Sequence, residues 1–350
     1  MKFELSEDQA LLRSSTHDFM ASEWPMEKVR SVLEGDPSGF SGDAWGRLAE
    51  MGYLGLTLPE NDGGQGLGAI ELAIVCEEVG RACVPGPFLD VLLAGEVLAA
   101  AGGQAALLAD VIGGKKLVVL AREDSPYAGE PKQRLRFEGG KLRGSKYFVP
   151  FSAQADAMLA TASDGIFLVE KPFTVTPLES FDLSARFGEV SFDHATRRIA
   201  GPEALTRIDR LGAVGASATL LGIMSRCLEI TLEYSQTRKT FGRPIGSFQA
   251  LQHRLSEMML RTESTRSAVY RAAWCLDTAN PDTALTCAAA KAYAGDASRL
   301  VCGEAIQMHG GIGFTWELDL HFFFKRAKTL EMHYGSTEIQ LERVLEAAGF

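Results

Sequence analysis

The sequence predicts an α+β fold in three consecutive parts: an N-terminal helical domain over residues 1–112, a small central antiparallel β domain over 113–200, and a C-terminal helical domain over 201–350. Three observations carry that prediction. Apolar residues recur at spacings of three and four before position 101, short β-rich runs crowd between 115 and 192, and long helical patterns return after Gly201-Pro202. Helices, then strands, then helices is a segregated order, unlike the alternation that builds a parallel sheet.

In the first part the helical spacing is set by Leu11, Leu12 and Phe19, then Trp45, Leu48 and Met51, then Leu72, Ile74, Val75 and Val79. Two loops rich in turn formers interrupt it, Gly35 to Gly42 and Leu58 to Gly68, the latter reading LPENDGGQGLG. Strands are expected at Lys115–Ala121, Arg134–Phe137, Tyr147–Val149, Ala157–Ala160, Gly165–Val169 and Gly188–Phe192. The third part reads as helices near Thr206–Arg238, Ser247–Asp277, Pro281–His309, Leu318–Lys328 and Thr337–Ala348.

At 350 residues the chain exceeds what one hydrophobic core organises, and 46% hydrophobic with 23% charged residues is a globular composition. Lys plus Arg at 35 against Asp plus Glu at 45 gives a formal charge of -10. That balance speaks against nucleic acid and anionic lipid as partners over most of the surface, while leaving room for one local basic site. Six cysteines without a CxxC pair read as reduced, buried thiols. The start is acidic and polar, and no run reaches the ~18 apolar residues of a membrane span, so a cytoplasmic location is expected.

Two glycine clusters, Gly63-Gly-Gln-Gly-Leu-Gly68 and Gly310-Gly-Ile-Gly313, imitate dinucleotide fingerprints. Neither follows an expected strand and opens a helix within a βαβ unit, so they are not read as such. The stretch Tyr234 to Gln252 is more informative. A helix stops near Thr237, a Gly/Pro loop displays Arg238, Lys239, Thr240 and Arg243, and a helix capped by Ser247 is expected to follow. Three cations in six residues suit a diphosphate, with Phe241 able to lie against a heterocycle; the same spacing also suits a solvated interhelical turn. Likewise the glycines after Gln307-Met-His309 either expose amides to an anion or end a helix.

Together these residues are similar to the flavin-dependent acyl-CoA dehydrogenases. The resemblance rests on Arg238-Lys-Thr-Phe-Gly242 with Gln249, on Gln307-x-x-Gly310-Gly311, and on Tyr334-Gly-Ser-Thr-Glu-Ile-Gln340. Upstream it adds Leu58-Pro-Glu-x-x-Gly63-Gly64-x-Gly66 and Gly144-x-Lys146-Tyr-Phe-Val149, so it covers nearly the whole chain in order. It implies a C-terminal domain resembling a four-helix bundle and FAD held at a subunit interface. It implies that Arg238, Thr240, Phe241 and Gln249 reach the adenosine diphosphate of a flavin seated mainly in a neighbouring subunit, with Gln307, Gly310 and Gly311 at the same end. Ser336 and Glu338 are then expected beside the isoalloxazine cleft. The implied substrate is an acyl-CoA, and the implied electron acceptor one such as an electron-transfer flavoprotein.

Three positions depart from the family pattern. Tyr334 stands where the usual Glu base belongs, and the alternative base position, counted back from Arg238, holds Gly212. A phenol with a pKa near ~10 is a poor base at neutral pH. Asp209, one turn earlier, is a displaced candidate or a helix cap. The flavin-binding loop of the β domain is replaced by Arg122-Glu-Asp-Ser-Pro-Tyr-Ala-Gly129, and the strand that supports the flavin ring reads Phe148-Val-Pro150, where proline offers neither hydroxyl nor amide. The motif that serves a neighbour's flavin thus survives best, which resembles the degenerate subunit of the heterotetrameric acyl-CoA dehydrogenases of steroid side-chain breakdown. A second dehydrogenase subunit is the expected partner; a self-sufficient enzyme using Asp209, a homo-oligomer, and a non-enzymatic acyl-CoA-binding or scaffold protein are the alternatives. His309 and His333 read as packing or hydrogen-bonding residues, and Phe322-Phe-Phe324 as a helix at a subunit contact. Gly212, Gly215 and Gly222 allow either close helix packing or room for a bulky substrate.

Overall fold

The computed structural model describes residues 4–126 and 135–350. The Met1–Phe3 start, the Tyr127-Ala-Gly129 end of the altered loop, and Arg134 of one expected strand lie outside the described residues.

The chain packs as two compact units. One takes residues up to Val29, Ala69–Val84 and Ala213–Phe350; the other takes Arg30–Gly68 and Pro85–Gly212. The N-terminal helices are α1 (Glu7–Glu23), α2 (Met26–Gly35), α3 (Gly42–Glu50), α4 (Ala69–Arg81), α5 (Phe88–Ala101) and α6 (Ala105–Ile112). Strands follow as β1 (Val118–Ala121), β2 (Arg136–Glu138), β3 (Lys141–Pro150), β4 (Ala157–Ala162), β5 (Gly165–Glu170), β6 (Thr174–Leu178), β7 (Phe187–Ala195) and β8 (Arg198–Ala200). The C-terminal part is α7 (Pro202–Thr237), a hairpin of β9 (Lys239–Thr240) and β10 (Arg243–Pro244), α8 (Gln249–Asp277), α9 (Thr283–His309), α10 (Leu320–Met332) and α11 (Thr337–Ala348).

In the first unit α1 begins with a capping box, Ser6 and Gln9 each bonding the other's backbone. It stops at Trp24 because Pro25 disfavours helical geometry in the residue before it. Of α7's most apolar 18-residue stretch, 89% is buried within the protein, so this helix, long and apolar enough to span a membrane, is a core helix. Its glycines explain how α4 lies against it: a Cβ at Gly222 would stand 1.8 Å from the Glu77 carbonyl oxygen, and one at Gly80 of α4 would stand 2.0 Å from that of Thr219. Close packing is therefore what Gly222 provides. The six cysteines are buried thiols, none of them joined in a disulfide.

In the second unit two four-stranded sheets form, ordered β1-β4-β5-β8 and β2-β3-β7-β6. The strand pairs of these sheets are antiparallel except β1 and β4, which run parallel with Val118 opposite Ala157, as the long connection between them through β2 and β3 permits. Two short strands escaped the sequence reading, β6 and β8, and both are sheet edges. β6 carries Pro177, which an edge tolerates and a central strand does not.

Candidate functional site

The hairpin after α7 is built around a two-residue turn. Arg238 N–H donates to the Tyr234 carbonyl at 2.9 Å, Ile245 N–H returns to the Arg238 carbonyl at 2.8 Å, and Thr240 pairs with Arg243. The turn residues Phe241 and Gly242 both have positive φ, 53° and 79°. Glycine takes that conformation freely, whereas a left-handed Phe costs about 1–2 kcal/mol. The Phe241 side chain recovers none of that cost in a core, since the residue is 90% exposed. Around it Arg238, Lys239, Thr240 and Arg243 are all exposed. Arg243 lies 4.1 Å from the centre of the Phe248 ring, while Arg238 and Lys239 have no carboxylate partner among the described residues.

Ser247 does not cap the following helix. Its hydroxyl donates to the Pro244 carbonyl at 2.7 Å inside a 3₁₀ turn, Ile245–Ser247, and α8 starts at exposed Gln249 behind Phe248, which offers no side-chain cap. A serine bonding backward within its own turn is lost to the helix ahead.

At the end of α9, Gln307, Gly310 and Gly311 are exposed. Gly310, with φ of 60°, closes the helix by donating to the Gln307 carbonyl, and no atom lies within 4 Å of where a Cβ would stand on either glycine. The sequence missed what ties this turn to the hairpin: the Tyr234 ring stacks on His309 with centroids 4.2 Å apart. His309 also binds the Ala305 carbonyl through Nδ1 at 2.7 Å, and burial lowers its pKa, so it is a packing residue. The structure thereby brings the Arg238 and Gln307 groups together. Among the described residues no group of three His, Cys, Asp or Glu could hold a metal ion.

Ser336 and Glu338 lie elsewhere in this unit. Ser336 caps α11, its hydroxyl accepting from Ile339 N–H at 3.4 Å. Glu338 is exposed, and its carboxyl is held below the usual range first by a backbone N–H and then by Ser336. The preceding turn is pinned from beneath: Lys291 Nζ donates to the Glu331 and Gly335 carbonyls at 2.9 and 3.0 Å, and Gln340 Nε2 to that of Tyr334 at 2.5 Å. Lys291 is wholly buried, which pulls its pKa down to about 8. Sixteen residues of α9 separate Lys291 from Gln307, about 24 Å along the helix at 1.5 Å per residue. Lys291 carries no signal a sequence reader would pick out, and Gln340 stands out only as the end of the Tyr334–Gln340 motif, without this role. Phe322 and Phe323 are buried within this chain and Phe324 half-buried, so the aromatic run needs no subunit contact to cover it.

No position expected to hold a base offers a free carboxylate. Tyr334 is buried with φ of 58°, Gly212 has no side chain and is buried, and Asp209 in the second unit is ion-paired to Arg122. In that unit Lys146 is also wholly buried, donating to Asp124 Oδ1 at 2.5 Å, to the Arg122 carbonyl at 2.8 Å and to Thr161 Oγ1 at 3.1 Å. Burial lowers its pKa. The strand then bulges between Lys146 and Val149, leaving Phe148 at φ of 49° and 40% exposed, with Pro150 opposite Phe187.

Comparison with known proteins agrees along the chain. Residues 6–106 match the acyl-CoA dehydrogenase N-terminal domain and 208–349 the acyl-CoA dehydrogenase C-terminal domain. The acyl-CoA dehydrogenase IpdE2 of Mycolicibacterium smegmatis is 33% identical over 350 residues, covering 99% of this chain and 100% of that protein. Among solved structures, the Tcur3481-Tcur3483 steroid ACAD G363A variant superposes with a TM-score of 0.90 at 28% identity over 98% of both chains. The ChsE4-ChsE5 complex from Mycobacterium tuberculosis gives 0.90 at 27% identity over the whole of both. A helical, sheet, helical chain with these hairpin and turn motifs, matched at both ends and aligned over its length to such a relative, belongs to the acyl-CoA dehydrogenase family.

Proposed function

We propose that this chain is the partner-dependent subunit of a hetero-oligomeric acyl-CoA dehydrogenase, serving α,β-dehydrogenation of an acyl-CoA thioester with FAD. The observation that carries this reading is Phe241, held in a costly left-handed turn with its ring 90% exposed beside Arg238 and Lys239, which have no carboxylate partner among the described residues. A strained, apolar, solvent-facing residue is understandable when a ligand or partner covers it. Arg238, Thr240, Phe241 and Gln249, with Gln307, Gly310 and Gly311 across the Tyr234–His309 stack, fit the anionic adenosine diphosphate end of FAD. Ser336 and Glu338 have structural duties that account for them without a cofactor, so their place in the proposal rests on resemblance alone.

FAD supplies the acceptor for the hydride that leaves the β-carbon. None of the three expected base positions offers a free carboxylate for the α-proton, since Tyr334 is buried, Gly212 is bare and Asp209 is held by Arg122. On this reading the base comes from the partner subunit. The similarity to structures described as a steroid ACAD and as a two-protein complex supports a heteromer with a polycyclic acyl-CoA substrate, and an electron-transfer flavoprotein is the fitting acceptor.

The chain should be purified alone and co-expressed with a full-length dehydrogenase partner, with flavin per protomer and turnover measured for both. Little flavin and no turnover alone, with both restored in the complex at fewer than one flavin per protomer, is the expected result. A yellow, stoichiometrically loaded and active isolated chain would overturn it.

A further inference from the structure

The turn that leaves α9, wholly within the first unit, holds an apolar cluster out in solvent. Ile312, Phe314 and Trp316 are 46%, 77% and 51% exposed, and among the described residues no other stretch of five presents three large apolar side chains. Exposed apolar residues scattered singly need no explanation, whereas a cluster does.

Local geometry turns these side chains outward. In the 3₁₀ turn Gly310–Phe314 it is Gly313 that faces α9: a Cβ there would stand 2.2 Å from the Ile306 carbonyl oxygen, so the inner place goes to the residue without a side chain. Ile312 and Phe314 on either side of it are left outside. Thr315 locks the turn, its N–H and Oγ1 both donating to the Ile312 carbonyl, at 3.1 and 2.9 Å. Trp316 is fixed as well. Its ring stacks on His321 of α10 with centroids 4.2 Å apart, meets Phe322 edge-on at 6.0 Å, and has Lys325 Nζ 4.5 Å from its centre. A ring so held loses little freedom when a partner covers it, and Trp is among the commonest interface anchors.

The cluster also continues the candidate cofactor site. It follows Gly311 directly, and the Tyr234–His309 stack ties the same turn to the hairpin, where Phe241 is 90% exposed. With each aromatic side chain offering ~150–250 Å², the rings of Phe241, Phe314 and Trp316 leave roughly 400 Å² uncovered, about half of the ~800 Å² that one partner gives to a stable interface. The hairpin end of this surface is cationic through Arg238, Lys239 and Arg243, and Glu317 borders the other end. A second copy docking through the same face would bring cations of its own, whereas a subunit holding a flavin diphosphate brings the complementary charge.

We propose that Ile312, Phe314 and Trp316 form the docking surface for the flavin-holding dehydrogenase subunit, with Trp316 as its anchor. The inference rests on the partner-dependent function proposed above and gives that partner a contact separate from the flavin itself.

The test uses the full-length chain and the flavin-loaded dehydrogenase subunit that restores turnover in co-expression. Their dissociation constant is measured by biolayer interferometry, and flavin is counted in the assembled complex. Trp316→Ala is expected to raise the constant at least about thirtyfold, and Phe314→Ala, which removes none of the ring contacts around Trp316, at least about fivefold. Complexes assembled at saturating partner should keep the flavin content of the unaltered one. Leu11→Ala is the control and should bind as the unaltered chain does, since Leu11 is 68% exposed on α1 at the end of α8 remote from the hairpin. Unchanged binding by both variants would overturn the proposal while leaving the partner-dependent function standing, and so would an equal loss in Leu11→Ala. Normal assembly with flavin lost would make Trp316 part of the cofactor site and overturn it as well. A dimer of the isolated chain that Trp316→Ala dissolves would assign the surface to a second copy instead. If the unaltered chain binds no dehydrogenase subunit, the function proposed above fails and this inference with it.

Discussion

Replacing Gly222 by alanine tests the close crossing of α4 and α7 quantitatively. The new Cβ would stand 1.8 Å from the Glu77 carbonyl oxygen and 2.7 Å from the Arg81 nitrogen, where real Cβ atoms keep at least 3.0 Å. The two helices must then part by about 1.2 Å, and because the opposing atoms are backbone, no rotamer change relieves them. Overpacking of this kind costs about 1–3 kcal/mol or more, and alanine's better helix propensity returns only ~0.5–1 kcal/mol. Parting α4 from its neighbours also loosens Glu77, whose carboxylate accepts from Tyr270 at 2.9 Å and pairs with Arg266. We expect a net loss of about 2 kcal/mol, read in urea titrations by circular dichroism, and a Tm lower by roughly 4–8 °C. Gly303→Ala is the matched control, lying inside α9 with no atom within 4 Å of its would-be Cβ, and should stabilise by ~0.5–1 kcal/mol. A Gly222→Ala protein within 0.5 kcal/mol or so of the unaltered one, or equal losses in both variants, would refute the reasoning.

Three further outcomes follow from the same geometry. Lys291 has a pKa of about 8 when folded against 10.5 as a free side chain, so between those values the unfolded chain holds the extra proton and stability rises with pH. Relative to Lys291→Met, the unaltered protein should therefore gain up to about 3 kcal/mol from pH 8 to 10.5 in urea titrations, and a flat difference would contradict the burial of that charge. Asp124→Asn leaves buried Lys146 without its counter-charge and should cost about 3 kcal/mol, with a smaller loss when Lys146→Met is added, a double-mutant comparison by chemical denaturation. Phe241→Asn, a residue that tolerates left-handed φ, should raise stability by roughly 1 kcal/mol while lowering flavin retained by the co-expressed complex.

The fold was legible in the sequence because its signals are local. Helical spacing and Gly/Pro punctuation place α7, α8, α9, α10 and α11 within a few residues of their expected bounds, and β-rich runs place β1, β3, β4, β5 and β7. β6 and β8 were illegible because edge strands owe their existence to a neighbour and carry polar or proline residues. At the site, Arg238 to Gln249 and Gln307 to Gly311 stood out by composition, but their association did not, because the Tyr234–His309 stack joins residues 75 apart through a pair with no spacing signature. The roles of Lys291 and Lys146 were hidden for a related reason. A lysine in a helix or strand reads as solvated, and only the packed structure reveals carbonyls gathered around a buried ammonium.

The fate of the cations separates the two units in a way that bears on partnership. In the second unit Lys146 is consumed by Asp124, Arg122 by Asp209, and Arg207 by Glu96. Each pair holds strands, loops or helices of that unit together, so none of these charges remains to meet a diphosphate. In the first unit the hairpin exposes Arg238 and Lys239 with no carboxylate partner among the described residues, although the chain as a whole carries ten more acidic than basic residues. Matching would have been the stabilising choice for a turn already strained at Phe241. Leaving the hairpin unmatched makes sense if the missing negative charge arrives from outside the chain, and a flavin diphosphate lodged mainly in a partner subunit supplies it. On that account neutralising the hairpin should weaken the complex's hold on FAD without destabilising this subunit, whereas breaking the Lys146 or Asp209 pairs should destabilise it without touching the partner's flavin directly.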